Sequence, residues 1–255
     1  MLVLTGVFGL VVGSFLNVVI HRVPAGESVV RPRSRCPGCG TEIAARDNIP
    51  VVSWVVLRGR CRTCGEPISV RYPLVELGTA TLFVLLTVLV GVDWALPAFL
   101  YLGAVGVALA AIDLDTHRLP NALTLPSYAV GGLLLLLPTV ADGSWDAYLR
   151  AWLGAAALFT FYLLLVVVYP AGMGRGDVKL AGVLGLYLGW LGWGPLVVGG
   201  FLGFLLGAAV GGTLMVVRRT GRRSKIPFGP FMLAGALLAL IWGTSLWDWY
   251  LDRLG

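Results

Sequence analysis

WALPAFLYLGAVGVALAAIDLDTHRLPN, residues 94–121, is the stretch on which the fold turns. Residues 94–112 carry no charge, and a run of about 20 apolar residues is what a helix needs to cross the hydrocarbon core of a bilayer. The run then meets Asp113, Asp115, His117 and Arg118 in quick succession. An ionisable side chain at the edge of such a span is costly, and therefore a candidate for function.

Comparable apolar runs lie on both sides, at residues 2–20, 74–92, 122–140, 147–169, 178–193, 196–217 and 228–247. The chain is 58% hydrophobic and 13% charged, against about 25% charged residues in an ordinary soluble domain. These features predict an all-α, polytopic membrane bundle of about eight transmembrane helices. The sixth run, 178–193, is short and rich in glycine. The first lacks a basic leading region and a small-residue cleavage site, and Ser14 and Asn17 interrupt it. It reads as a retained helix rather than a signal peptide.

Basic residues set the expected orientation. Nine arginines fall between Arg22 and Arg71, Arg118 follows the third run, and Arg175 and Lys179 flank the start of the sixth. Arg218, Arg219, Arg222, Arg223 and Lys225 precede the eighth. All share one side if the N-terminus is outside, leaving only Arg150 and Arg253 opposite. The positive-inside rule puts that side in the cytoplasm and both termini outside, in a plasma or inner membrane. Basic loops facing anionic lipid account for the net charge of +6 without nucleic acid.

Residues 21–73 are polar and hold every cysteine, as Cys36-Pro37-Gly38-Cys39 and Cys61-Arg62-Thr63-Cys64, each pair followed by a glycine (Gly40, Gly65). Four thiolates in two such knuckles suit tetrahedral zinc, and a loop this small needs a staple. Redox chemistry or two disulfides would be the other uses, but disulfides rarely persist in a reducing cytoplasm. The expectation is a small cytoplasmic lobe closed by structural zinc on Cys36, Cys39, Cys61 and Cys64.

Asp113 and Asp115 are two apart, so only one can face a partner on another helix. The second carboxylate is Asp177, in Gly172-Met173-Gly174-Arg175-Gly176-Asp177. Under the orientation above Asp113 and Asp177 lie at similar depth. One ends a helix and the other opens one, so the macrodipoles treat them differently. That difference would help the two share a proton, as base and acid on a water molecule. Gly174 and Gly176 would let backbone approach a substrate strand. Competing uses are a helix cap for Asp177, and a snorkelling position or an Arg118 ion pair for Asp113. His21 and His117 read as loop residues. In the seventh run Gly199, Gly203, Gly207 and Gly211 recur every four residues, a smooth face for close helix packing or for a substrate helix.

Together these features resemble the bacterial type IV prepilin peptidase family, the prepilin leader peptidase/N-methyltransferases of the GxGD membrane aspartyl protease type. Gly13-Ser14-Phe15-Leu16-Asn17-Val18-Val19-Ile20-His21-Arg22 is similar to its N-terminal signature, and the paired CxxC loop follows in order. Asp113-Leu114-Asp115 with Leu119-Pro120 resembles its first aspartate motif. Gly174-Arg175-Gly176-Asp177-Val178-Lys179-Leu180 and Ile226-Pro227-Phe228-Gly229-Pro230 resemble the later two. Where the family often has Leu-Pro-Asp, this chain has Asn121, which leaves Asp113 to pair with Asp177. The resemblance implies an aspartic endopeptidase that cuts prepilin or pseudopilin precursors on the cytoplasmic side, after the glycine preceding their hydrophobic helix. It also implies that N-methylation with S-adenosylmethionine is open to it; no nucleotide fingerprint in the chain speaks for that separately. The expected layout is a first transmembrane helix (1–20), a cytoplasmic zinc-binding loop domain (21–73) and a transmembrane aspartyl peptidase domain (74–255). The rival classes are an ion-coupled transporter using its intramembrane carboxylates and a non-catalytic assembly scaffold docking through its zinc lobe.

Overall fold

The computed structural model describes residues 1–170, 173–218 and 227–254, with residues 214–218 described by backbone alone. Gly172, Arg219, Arg222, Arg223, Lys225 and Ile226 lie outside the described residues. What is described is helical: α1 (Leu2–Ala25), α2 (Val52–Val56), α3 (Arg71–Val90), α4 (Leu96–Thr116), α5 (Asn121–Asp142), α6 (Trp145–Val168), α7 (Arg175–Leu191), α8 (Trp193–Arg218) and α9 (Gly229–Leu251). All except α2 and α7 are long and apolar enough to cross a membrane, seven in number among the described residues. Large apolar side chains stand exposed along them, among them Leu133, Leu149 and Leu164. In water such surfaces would be a liability; in lipid they are the solvent-facing side. The chain is a multi-pass membrane protein.

The short sixth apolar run falls on α7, a helix of 17 residues closed by Gly192. Every residue from Leu180 to Gly189 is buried, so α7 is a core helix clothed by its neighbours.

The backbone separates into two compact units. The first holds residues 1–92 with 103–108, the second residues 93–102 with 109–255. In the first, α1 lies against α3 through small residues. A Cβ on Gly9 would stand 2.6 Å from the Ala80 Cα, and one on Gly13 would stand 2.7 Å from the Glu76 Cα. Only glycine allows backbones this close. Asn17, polar within an apolar run, donates from Nδ2 to the Tyr72 carbonyl at 3.1 Å and ties α1 to the first turn of α3.

The loop joining these helices has few buried apolar residues and is organised by polar ties. Two knuckles fold alike. The Gly40 N–H returns to the Cys36 carbonyl at 2.9 Å and the Gly65 N–H to that of Cys61 at 3.0 Å. Both glycines take the left-handed φ (70° and 74°) that the turn requires. Arg62 pairs with Asp47 at 2.7 Å, and its guanidinium holds the Asp47 carboxyl below the usual carboxylate range.

In the second unit α7 is sandwiched among α5, α6, α8 and α9. Gly154 of α6 faces Gly185 and Gly189 of α7, and its Cβ would lie 2.6 Å from the Gly185 carbonyl oxygen. On α8, Gly199 faces Leu188 and Ala239, Gly203 faces Met232, and Gly207 faces Phe228. Gly235 of α9 returns the contact, with a Cβ there 2.6 Å from the Gly203 nitrogen. The four-residue glycine face is therefore used for internal packing at these three positions. At the far end of α7, Arg150 donates from Nε to the Gly189 carbonyl (2.8 Å) and from Nη2 to that of Trp190 (2.9 Å). It caps carbonyls the helix leaves without partners.

Candidate active site and metal centre

Asp113 occupies the last turn of α4 and is 4% exposed, whereas Asp115 faces outward. This is the alternation expected of two positions on opposite sides of a helix. The chain turns sharply after it. His117 closes α4 in a left-handed conformation (φ 53°), its N–H on the Asp113 carbonyl at 2.9 Å. Pro120 then starts α5 from an extended conformation.

Asp177 is 7% exposed. It is the third residue of α7, inside the first turn rather than ahead of it, with Gly174 as the N-cap. Its Oδ2 accepts the Gly174 N–H at 2.9 Å, and its own N–H reaches the Gly174 carbonyl at 3.1 Å. The N-cap position weighed for Asp177 thus belongs to Gly174, and Asp177 instead reaches back from the third helical position to the N-cap N–H, which occupies one lone pair of one oxygen.

Asp113 has the matching arrangement on a different helix. Its Oδ2 accepts the N–H of Gly229, the first residue of α9, at 3.0 Å. A sequence reading gives Asp113 only the unfavourable C-terminal end of α4; the structure adds the favourable N-terminal end of α9. Each carboxylate therefore receives one backbone N–H from a helix start.

Leu119 lies against Gly176 and Gly229, the glycines beside the two carboxylates. A Cβ on Gly176 would stand 2.9 Å from the Leu119 Cβ, and one on Gly229 would stand 3.3 Å from its Cδ2 and 2.9 Å from the Asp113 Oδ2. Both glycines are needed for clearance. Gly229 is the residue of this candidate site that chemistry-led reading of the sequence passes over. Its signal is Pro230, which marks a helix start and hence a free N–H just before it. Lys179 donates to the Asn121 Oδ1 at 2.6 Å, and Tyr128 donates to the Lys179 carbonyl at 2.7 Å, so α5 is latched to the first turns of α7.

The four cysteines form a second centre within the first unit. Their sulfurs all lie within 4.8 Å of one another, with Cys36 and Cys64 at 3.7 Å. A tetrahedron with 2.3 Å metal–sulfur bonds has edges of about 3.8 Å, so this cluster could hold a metal ion such as zinc. The thiols are already polarised. Hydrogen bonds with Thr41 draw Cys39 down to about 6, and the backbone donors of Cys64 and Thr63 lower Cys61. Cys64 is pushed up to about 12, the Glu66 backbone donor being outweighed by desolvation and the three neighbouring sulfurs. A divalent cation would remove that conflict by taking all four as thiolates.

Residues 7–90 match the model of the bacterial peptidase A24 N-terminal domain, and residues 100–216 match that of the type IV leader peptidase family. The chain is 41% identical to a protein of Aeromonas hydrophila named prepilin leader peptidase/N-methyltransferase, over 96% of this chain and 92% of that one. Proteins of the same name from Stutzerimonas stutzeri (36%, over 96% and 92%) and Pseudomonas aeruginosa (35%, over 98% and 93%) are similar throughout. No solved structure matches. Matched in both its N-terminal and its peptidase segment, and aligned with such relatives over nearly its whole length, the chain belongs to the type IV leader peptidase family.

Proposed function

We propose that the protein is a membrane aspartic endopeptidase that removes the leader of type IV prepilin or pseudopilin precursors, with Asp113 and Asp177 as its catalytic pair. The observation that carries this is the matched setting of two buried carboxylates from different helices, each fixed by one backbone N–H at a helix start. One ionised carboxylate takes a proton from water, and the resulting hydroxide attacks the scissile carbonyl. The other, protonated, stabilises the developing oxyanion and then supplies the leaving amine with its proton. Gly174, exposed at the mouth of α7, leaves room for the substrate backbone, and Gly176 positions that turn by its close approach to Leu119. In this reading the three-part layout (1–20, 21–73, 74–255) divides anchor, zinc lobe and peptidase. Zinc on Cys36, Cys39, Cys61 and Cys64 is structural, and that lobe faces the cytoplasm with both termini outside. Methylation of the new N-terminus with S-adenosylmethionine is included on the strength of the relatives' name.

The test is cleavage of a purified prepilin precursor by the purified protein in detergent. Loss of cleavage in both Asp113→Asn and Asp177→Asn supports the pair. An inert wild-type protein that instead moves protons across reconstituted vesicles would establish the transporter reading.

A further inference from the structure

Glu76 is a carboxylate inside a membrane span that peptidase chemistry does not use. It is 7% exposed and lies five residues beyond Arg71, where α3 begins. α3 has 20 residues, about 30 Å of helix at 1.5 Å per residue, comparable to the hydrocarbon thickness. Glu76 therefore stands about 7–8 Å along α3 from its first residue. Its Oε2 accepts the Val51 N–H at 2.7 Å. The loop between α1 and α3 is thus drawn down to the second turn of α3.

The segment held there has the wrong surface for water. α2 turns Ser53 inward, and its Trp54 indole N–H donates to the Ile68 carbonyl at 3.0 Å. Val52, Val55 and Val56, three and four residues apart and so on one face, are 54%, 60% and 69% exposed. Ile49 before them is half exposed. Val51 is forced to φ 60° and ψ −49°, a region that a β-branched residue avoids. The exposed cations Arg46 and Arg58 bracket the segment. An apolar face flanked by arginines, level with the first turns of a span, has the chemistry of the lipid headgroup–acyl boundary.

We propose that residues 46–58 form an interfacial wedge. Ile49, Val52, Val55 and Val56 enter the acyl-chain boundary, Arg46 and Arg58 lie at the phosphates, and Glu76 is the anchor that sets the depth. The cysteine lobe is then seated in the membrane surface.

The test places a fluorescent amino acid at Val55, at Val56 and, as a control, at Val30 (76% exposed). The full-length protein is reconstituted in vesicles of phosphatidylcholine and phosphatidylglycerol brominated near the glycerol end of their acyl chains. Emission at 55 and 56 is expected to fall by roughly half, as for a side chain in the boundary region, with position 30 unaffected by bromine and quenched by aqueous iodide. Iodide quenching at 55 and 56 overturns the proposal. So does protection from both quenchers, which would mean a protein cover. Glu76→Ala should lift the probe at 56 towards iodide, whereas Glu76→Gln, which keeps an acceptor for the Val51 N–H, should retain bromine quenching. An unchanged depth in Glu76→Ala would remove Glu76 as the anchor.

Discussion

Asp113 and Asp115 are separated by one leucine, yet one is buried against the start of α9 and the other is exposed. Replacing Asp113 or Asp177 with Asn should lower precursor cleavage by about 10²–10⁴-fold, the usual contribution of a positioned acid or base, without altering membrane insertion. Asp115→Asn should retain most activity, and the reverse ranking in a gel-based cleavage assay would reassign the pair. Gly229→Ala tests the N–H that holds Asp113. Its Cβ would stand 2.9 Å from the Asp113 Oδ2, so the carboxylate must shift, and misplacement on this scale costs about 10²-fold in kcat. An unaffected kcat would show that this hydrogen bond does not position Asp113. That only one of Asp113 and Asp115 could face a partner was legible in the sequence, because helix periodicity separates positions two apart. The Gly229 partner was not, because it comes from an element more than a hundred residues away.

Among elements, the α8–α9 contact is the closest test of packing. Leucine at Gly203 would meet the Met232 backbone, where a Cβ already stands 3.3 Å from the Met232 Cα. Overpacking of this kind costs about 1–3 kcal/mol, so Gly203→Leu should lower the Tm in detergent, with activity falling in step with the unfolded fraction. Unchanged melting with a KM defect confined to full-length precursor would instead place the substrate helix on α8. The four-residue period of glycines was readable without a structure, since it repeats along one face. The glycines of α7 (Gly182, Gly185 and Gly189) also recur at three- and four-residue steps, but only the assembled helices bring Gly154 to Gly185. Arg150 was legible as one of two cations expected on that side of the membrane, but not as the cap of α7. A side chain's partner on another element depends on the interhelical geometry, which composition does not contain.

For the molecule as a whole, apolar run length and the two CxxC pairs carried most of the architecture, because both are local in sequence. Purified protein should contain about one zinc per chain. Cys36→Ser or Cys61→Ser should release it and open the lobe to proteolysis, measured by metal analysis and limited digestion; a metal-free wild type with two disulfides would reject the site. The length of α7 was the poorest guide, since 17 residues read as a doubtful span. Its neighbours must match the thickness of whatever bilayer surrounds them, at a cost of fractions of a kcal/mol per Å of mismatch. α7 touches protein along nearly its whole length, is latched at one end through Lys179 and Asn121, and is clamped at the other by Arg150. Hydrophobic matching therefore does not set its register. In vesicles of increasing acyl-chain length the outer helices should change tilt while Asp177 keeps its place relative to α5 and α6, so the depth of this carboxylate is fixed by the protein and not by the lipid.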